Sequence, residues 1–329
     1  MTTSLKKSIV PILIFGSFIL WIISIWWGWM PSSYDVKQRV RAEALATDSE
    51  IVPGYATVTT LIDMTTWLVD KPGGFISNDM SPPGLLMDNM PAFEYGVLEQ
   101  VRDLALVMRL DFSRSQSQST GDKDLETAQN KVNISHKNWV LPSAESEYKK
   151  AIKALASYRT RLASEDEKEA QFYTRADNLS DWLREIEKRL GSISQNLSAS
   201  VGNDIFDTNL AGDTSAKQST VTNEQLKVQT SWFKIDDVFY ESRGSTWAIL
   251  HFLKAVQIDF KDVLEKKNAT VSLKQIIRDL EETQQAVWSP MVLNGNGFGL
   301  VANHSLVMAN YVSRANAALI DLRGLLEKG

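Results

Sequence analysis

The sequence predicts a mostly α-helical protein: a single N-terminal transmembrane helix followed by an extracytoplasmic α-helical bundle with long antiparallel helices. Three observations carry that expectation. Ile9–Met30 is a 22-residue run without a charged side chain. Phe172, Ala176, Leu179, Leu183, Ile186, Leu190, Ile193 and Leu197 alternate steps of four and three, the seam of a long bundle or coiled-coil helix. No run of residues makes a convincing strand.

At the α-helical rise Ile9–Met30 is about 33 Å long, against a bilayer hydrocarbon core of about 30 Å. Lys6 and Lys7 precede it, and Trp26, Trp27 and Trp29 crowd its far end as membrane-interface residues. Indole suits that level because its ring is apolar while its N–H needs a partner. A cleaved signal peptide has an apolar region of about 7–15 residues and a small-residue cleavage site; this run is longer and ends in Trp26-Trp27-Gly28-Trp29. Basic flanks nearly balance, with Lys37, Arg39 and Arg41 beyond the run. The tail 1–8 is short and purely basic, however, and long domains translocate largely regardless of charge. The expected topology is a cytoplasmic tail at 1–8, an anchor at 9–30 and a periplasmic helical domain at 31–329.

Lys6 and Lys7 are the only charges among the first 30 residues, so the remainder carries 33 Lys and Arg against 40 Asp and Glu. An acidic body of that kind is a poor match for nucleic acid, whose phosphates call for a basic face. The absence of cysteine excludes disulfides, thiolate catalysis and cysteine-ligated metals.

Past the anchor, Val36–Ala46 and Tyr55–Val69 read as helices, the second with Leu61, Ile62 and Leu68. Lys71–Pro91 is rich in Gly and Pro yet carries Phe75, Ile76, Leu85, Leu86 and Met87, which predicts a loop packed onto the body. Over Ala92–Phe112, the residues Phe93, Val97, Val101, Leu104 and Met108 form one buried stripe. The polar stretch Ser113–Gly121, continued to about Leu141, reads as a long exposed connection and a sub-boundary near 113–141. Ser143 is placed to cap a helix reaching about Ala163, with Glu145 and Glu147 in its first turn. Ser164-Glu165-Asp166-Glu167 has capping-box spacing and predicts a helix over Ser164–Ser200.

Residues 201–221 read as a flexible linker. The capping box Thr222-Asn223-Glu224-Gln225 then opens a helix to about Lys267, apolar on several sides between Trp247 and Phe260. Similar lengths around a linker predict an antiparallel hairpin. A third box at Ser272-Leu273-Lys274-Gln275 predicts a helix to about Gln285. Asn294-Gly295-Asn296-Gly297 signals tight turns, and Asn303 caps a last helix with Leu306, Ala309, Val312, Leu319 and Leu322 inward.

Catalytic motifs are sparse. Gly295, Gly297 and Gly299 lack the third spacing and the preceding strand of a dinucleotide fingerprint. Ser146-Glu147-Tyr148-Lys149 matches S-x-x-K, but K-T-G and S-D-N are missing. His136, His251 and His304 lack metal spacing, so no metal or other cofactor is expected, and His251 reads as a core histidine with one satisfied hydrogen bond. Three carboxylate pairs suit glycan cleavage if they share a cleft: Glu94 with Glu99, Asp236 with Glu241, and Glu281 with Glu282. On helices such pairs are ordinarily solvated. Asp111, Arg114, His136 and Trp139 flank the long connection and are the candidate binding residues, since long loops on rigid scaffolds carry binding.

The runs SNDMSPPGLLMDNMPAFEYGVLEQVRD (77–103), LDFSRSQSQS (110–119), NWVLPSAESEYKKA (138–151), EKRLGSISQNLSASV (187–201) and WSPMVLNGNGFGLVANHSLVMANYVSRANAA (288–318) resemble one family. It comprises single-anchor envelope proteins of Gram-negative bacteria known only as a domain of unknown function. The resemblance covers nearly the whole chain and implies an inner-membrane protein with a periplasmic body. It transfers no catalytic residue.

The expected function is therefore that of a membrane-anchored structural or interaction protein. It would be held in the lipid bilayer through residues 9–30 and bind or scaffold another envelope component, with an envelope protein or a second copy of itself as partner. The competing expectations are a cell-wall glycan enzyme using a carboxylate pair and a periplasmic ligand-binding protein. An eight-residue tail leaves no room for a signalling output domain.

Overall fold

Apolar residues at helical spacing dictate helices along most of the chain, and what remains is how they pair. A computed structural model describes residues 2–114, 121–164, 170–205, 226–289, 291–296 and 299–328, with the side chains of 2–10, 203–205 and 226–228 outside that description.

The first helix, α1, runs Thr2–Trp27. Its side chains Ile12, Leu13, Ile14 and Phe15 are each more than 60% exposed, and Phe18, Trp21, Ile25 and Trp26 are exposed as well. Among the described residues no helix is long and apolar enough to cross a membrane. The charge-free run begins at Ile9, whose side chain lies outside the described set. At the far end the Trp27 ring packs over Gly73, where φ is +87° and a Cβ would stand 2.6 Å from the indole. Glycine meets both demands there.

Residues 32–34 then fasten to the body. Trp247 Nε1 donates to the Ser32 carbonyl at 3.3 Å, and the Tyr34 ring stacks on His251 with centroids 4.3 Å apart. Helix α2, Val36–Ala46, is capped by Asp35, which accepts the Gln38 N–H. It buries Val36, Val40 and Ala44. Helix α3 spans Tyr55–Asp70.

The loop 71–91 packs at Phe75 and Ile76, as its composition predicts, but Leu85 and Leu86 are exposed. It is pinned by Glu94, a fully buried carboxylate that accepts the Ile76 and Ser77 N–H groups at 2.9 and 2.8 Å and the Ser77 hydroxyl, and that pairs with Lys71. Burial drives the Lys71 ammonium below its ordinary pKa.

Helix α4, Asn89–Val107, continues through a π-turn at Met108–Phe112. All five residues of its predicted stripe are fully buried. Its partner is α8, Ile235–Asp259, which is apolar on several sides as expected. The two cross at reciprocal glycines: a Cβ on Gly96 would stand 2.0 Å from the Glu241 oxygen, and one on Gly244 would stand 2.1 Å from the Phe93 oxygen. Ser245 Oγ donates to the Gly96 carbonyl in the same contact. The pairing of 93 with 244 and 96 with 241 makes the helices antiparallel.

The remaining elements correct several expectations. The stretch 113–141 is not one open connection. It contains α5, Lys123–Val132, capped by Asp122 and burying Leu125, Ala128 and Val132; residues 115–120 lie outside the described set. Helix α6, Ala144–Leu162, starts at the predicted Ser143 cap. The Ser164 hydroxyl donates to the Arg161 carbonyl. Glu165, Asp166 and Glu167 of that capping box are outside the described residues, and 170–175 is non-helical. Helix α7 begins only at Ala176 and ends at Ser198.

The linker 201–221 and the box at Thr222 fall largely outside the described residues. On either side of that gap, strands β1 (Asn203–Ile205) and β2 (Leu226–Val228) pair antiparallel. Instead of running from Thr222 to Lys267, the next helix is α8, which breaks at Phe260 before the short α9, Lys261–Lys266. Ser272 is not a cap, because α10 runs Thr270–Glu282. Asn303 does cap α11, His304–Glu327, accepting the Leu306 N–H at 2.8 Å. Helices α7 and α8 touch but are not each other's main partner. The heptad side chains of α7 are covered by α11, antiparallel to it through Ser194 with Ala309 and Glu187 with Arg323. Core residues from α3 to α11 form one cluster.

Candidate functional site

Two concavities stand out. The larger, about 790 Å³, lies at the start of α2 and is lined by Lys37, Lys254, Lys261 and Lys274 together with Asp35, Glu265 and Glu281. Its charges largely serve one another or the fold: Lys254 pairs with Glu281 at 2.7 Å, Lys261 with Glu265 at 3.9 Å, and Asp35 caps α2.

The second cavity, about 450 Å³, is built by α8, the end of α10 and the first turns of α11. Helix α8 brings Phe239 and Arg243 to one face by their four-residue spacing. Helix α10 ends at Thr283, whose hydroxyl is held by Thr246 and the Leu280 carbonyl, so the following chain passes over α8. From there Val287 and Trp288 form one wall. The Asn303 cap fixes the start of α11, which supplies His304, Val307, Met308 and Tyr311. The loop between is a tight return, with Asn294 bridged to Asn303 and the Gly295 N–H bonded to the Ala302 carbonyl; Gly297 and Phe298 lie outside the described residues.

Charged and polar side chains also enter this mainly apolar space, Gln285, Ser289 and Tyr311 among them. Arg243 donates from Nη2 to the Gln284 carbonyl at 2.9 Å. Among the described residues no carboxylate lies within 4 Å of it, and burial lowers its pKa. Glu282 stands at the rim and accepts from Gln285 Nε2 at 3.3 Å. His304 Nδ1 accepts the Leu293 N–H at 3.1 Å, which places the ring proton on Nε2. Burial lowers its pKa, so the ring is neutral near pH 7. Of the lining residues, Trp288 is 95% exposed and Val307 is exposed too. A partly desolvated cation, a neutral donor and an apolar wall can bind an anion with an apolar body.

The four residues expected to bind are not brought together. Asp111 and Arg114 lie at the C-terminal end of α4, where burial and the neighbouring Asp181 raise the Asp111 pKa and Arg114 opposes them. His136 packs against Tyr95 near the start of α4, at 4.9 Å between rings, and Trp139 is exposed on the same segment. Helix α5 carries the chain back along α4, and Arg102 clamps its end by donating to the Val132 and Ile134 carbonyls. At 1.5 Å per residue, Tyr95 and Asp111 are about 24 Å apart along the helix. Among the carboxylate pairs, Glu94 is buried while Glu99 meets Arg102 and Arg189, and Glu281 and Glu282 line different cavities. Burial and the Glu99 and Asp237 charges raise Glu241. His251 is a core histidine, but both of its nitrogens are bonded rather than one. Among the described residues no group of three or more His, Asp or Glu could hold a metal.

A family model described as an uncharacterized protein conserved in bacteria, DUF2333, matches residues 2–329. No curated protein and no solved structure matches the chain.

Proposed function

Because the chain belongs to the DUF2333 family, whose description names no activity, we propose a function from its geometry: an anchored binding protein that captures an apolar component of the bacterial envelope in the α8–α10–α11 cavity. The single observation that carries this is a concave, mainly apolar wall whose Trp288 and Val307 are at the same time exposed. The heptad seam of α7, by contrast, is covered within the body, while Trp139, Leu141, Trp232 and Phe233 are exposed apolar side chains outside the lining of this cavity. A concave apolar wall of this kind on a soluble body marks a binding surface.

Anchoring is supported by α1. Large apolar side chains face outward on its described part from Ile12 to Trp26, an arrangement that water disfavours and lipid accommodates. The charge-free sequence continues back to Ile9. On this reading α1 crosses the inner membrane once, residues 1–8 are cytoplasmic, and the body is periplasmic.

The chain has no cysteine, so single cysteines report its topology cleanly. A membrane-impermeant maleimide should label Trp288→Cys in spheroplasts and spare Ser4→Cys until lysis; the reverse pattern overturns the orientation. A photo-crosslinker at Val307, which lines the cavity and is exposed, should capture an envelope component in intact cells. Recovery of nothing but the uncoupled monomer overturns the binding reading.

A further inference from the structure

We infer that the α8–α10–α11 cavity takes a long-chain carboxylate, with Arg243 pairing the carboxylate and Phe239, Trp288, Val307 and Met308 holding the hydrocarbon. This rests on the binding reading above and names its ligand class.

Charge complementarity selects the head group. The Arg243 guanidinium has its Nη2 fixed by the Gln284 carbonyl and lacks a protein carboxylate within 4 Å among the described residues. A guanidinium in that state is complementary to a planar carboxylate, which it can meet with two parallel N–H donors. His304 adds a neutral N–H: with Nδ1 occupied by the Leu293 amide, Nε2 carries the proton. The single acid at the rim, Glu282, is engaged with Gln285 and sets a limit of one anion, since a second charge would face it.

The wall selects the tail. A peptide would bring amide N–H and C=O groups that need partners, and an unpaired buried amide is strongly disfavoured. The cavity leaves few such partners free: the Thr283 hydroxyl is spent on Thr246 and Leu280, Gln285 donates to Glu282, Ser289 Oγ accepts the Met291 N–H, and beside the Tyr311 hydroxyl the rest of the wall is aromatic and aliphatic. An alkyl chain needs none. The volume of about 450 Å³ falls within the usual range of small-ligand sites, about 300–1,000 Å³. Trp288 and Val307, which line the cavity and are themselves exposed, let a chain longer than the cavity emerge past apolar side chains.

The test uses the full chain in lipid nanodiscs and palmitic acid carrying a diazirine on its chain. After illumination, the labelled peptides are mapped. Labelling of α1 reports lipid partition and serves as the internal reference. Expected are labels on residues 286–311, displaced at least tenfold better by palmitate than by methyl palmitate. Arg243→Gln should lower that labelling about tenfold while the helical circular dichroism and the α1 labelling stay unchanged. Should Arg243→Gln misfold, the acid-against-ester ratio on the native chain decides alone. Equal displacement by the ester, or labelling confined to α1, overturns the inference. An apolar peptide with a free C-terminus that displaces better than palmitate also overturns it. In each of those cases capture at Val307 still reports on the binding reading separately.

Discussion

His251 Nε2 lies 3.1 Å from the Tyr34 backbone nitrogen, 217 positions away, and accepts its N–H. The other ring nitrogen, Nδ1, stands 2.7 Å from the Trp247 carbonyl and so carries the proton. The neutral tautomer alone satisfies both contacts, because a second ring proton would confront the Tyr34 N–H. Burial pushes the His251 pKa down to about 4. The unfolded chain therefore takes up its proton first. The contribution is complete above about pH 6.5 and is lost as pH falls toward 4.

Asp259 acts in the opposite sense. It accepts from the Thr57 amide and hydroxyl at 2.7 and 2.6 Å, yet burial raises its pKa to about 6. Here the folded state takes the proton first, and acidification from pH 6 toward 3.8 adds stability. Each group changes stability by about 2 kcal/mol between pH 7 and 4.5, with opposite sign. Urea midpoints at the two pH values should thus differ little for the native chain from these two groups. Relative to it, His251→Gln should gain on acidification and Asp259→Asn should lose. Parallel pH profiles for all three proteins would show that neither group titrates as buried.

The crossing of α4 and α8 tolerates no side chain at its centre. Gly96→Ala should destabilise by about 1–3 kcal/mol or more, because the obstructing atom is a backbone oxygen that cannot rotate away. Gly324→Ala, on α11 with nothing within 4 Å of the new Cβ, should instead stabilise by about 0.5–1 kcal/mol. Thermal melts of the two variants check both signs, and a Gly96→Ala protein as stable as the native one would mean the helices are further apart.

Removing one member of the Lys71–Glu94 pair leaves a buried charge alone. Glu94→Gln and Lys71→Met should each destabilise by about 3–5 kcal/mol, and the double variant by less than their sum. A double-mutant cycle on chemical denaturation reads the coupling; strict additivity would deny it.

Much of the helical content was legible because short-range chemistry specifies it. Asp35 before Val36, Ser143 before Ala144 and Asn303 before His304 each supply a side-chain oxygen to the first turn. Helix α5 was equally readable, with Asp122 as cap and Leu125, Ala128 and Val132 at steps of three and four, but polar neighbours masked it. The heptad phase misled at Phe172. Periodicity records which side chains face inward, and an extended segment can do that too: Phe172 meets Phe112 and Phe260 from outside any helix. Likewise, similar lengths of α7 and α8 did not decide their partners, because Gly96 and Gly244 give α8 its closest approach to α4.

The site was less legible than the fold. Arg243 owes its setting to Gln284, and His304 owes its tautomer to Leu293, contacts that no local pattern encodes. Asp111 and His136 were grouped by closeness in sequence, whereas the length of α4 separates them. The visible cue was a lone arginine between Phe239 and Trp247 on an apolar helix.

Only a short stretch of chain separates Ser32, held by Trp247, from the helical end at Trp27. Five residue steps reach at most about 18 Å even when fully extended, and the packing of Trp27 on Gly73 shortens that further. On the proposed anchoring of α1 in a bilayer, the body would be a short-leashed float rather than a probe on a line. Encounters with its target would become a two-dimensional search along the membrane surface, at a rate set by lateral diffusion and by the crowding of that surface.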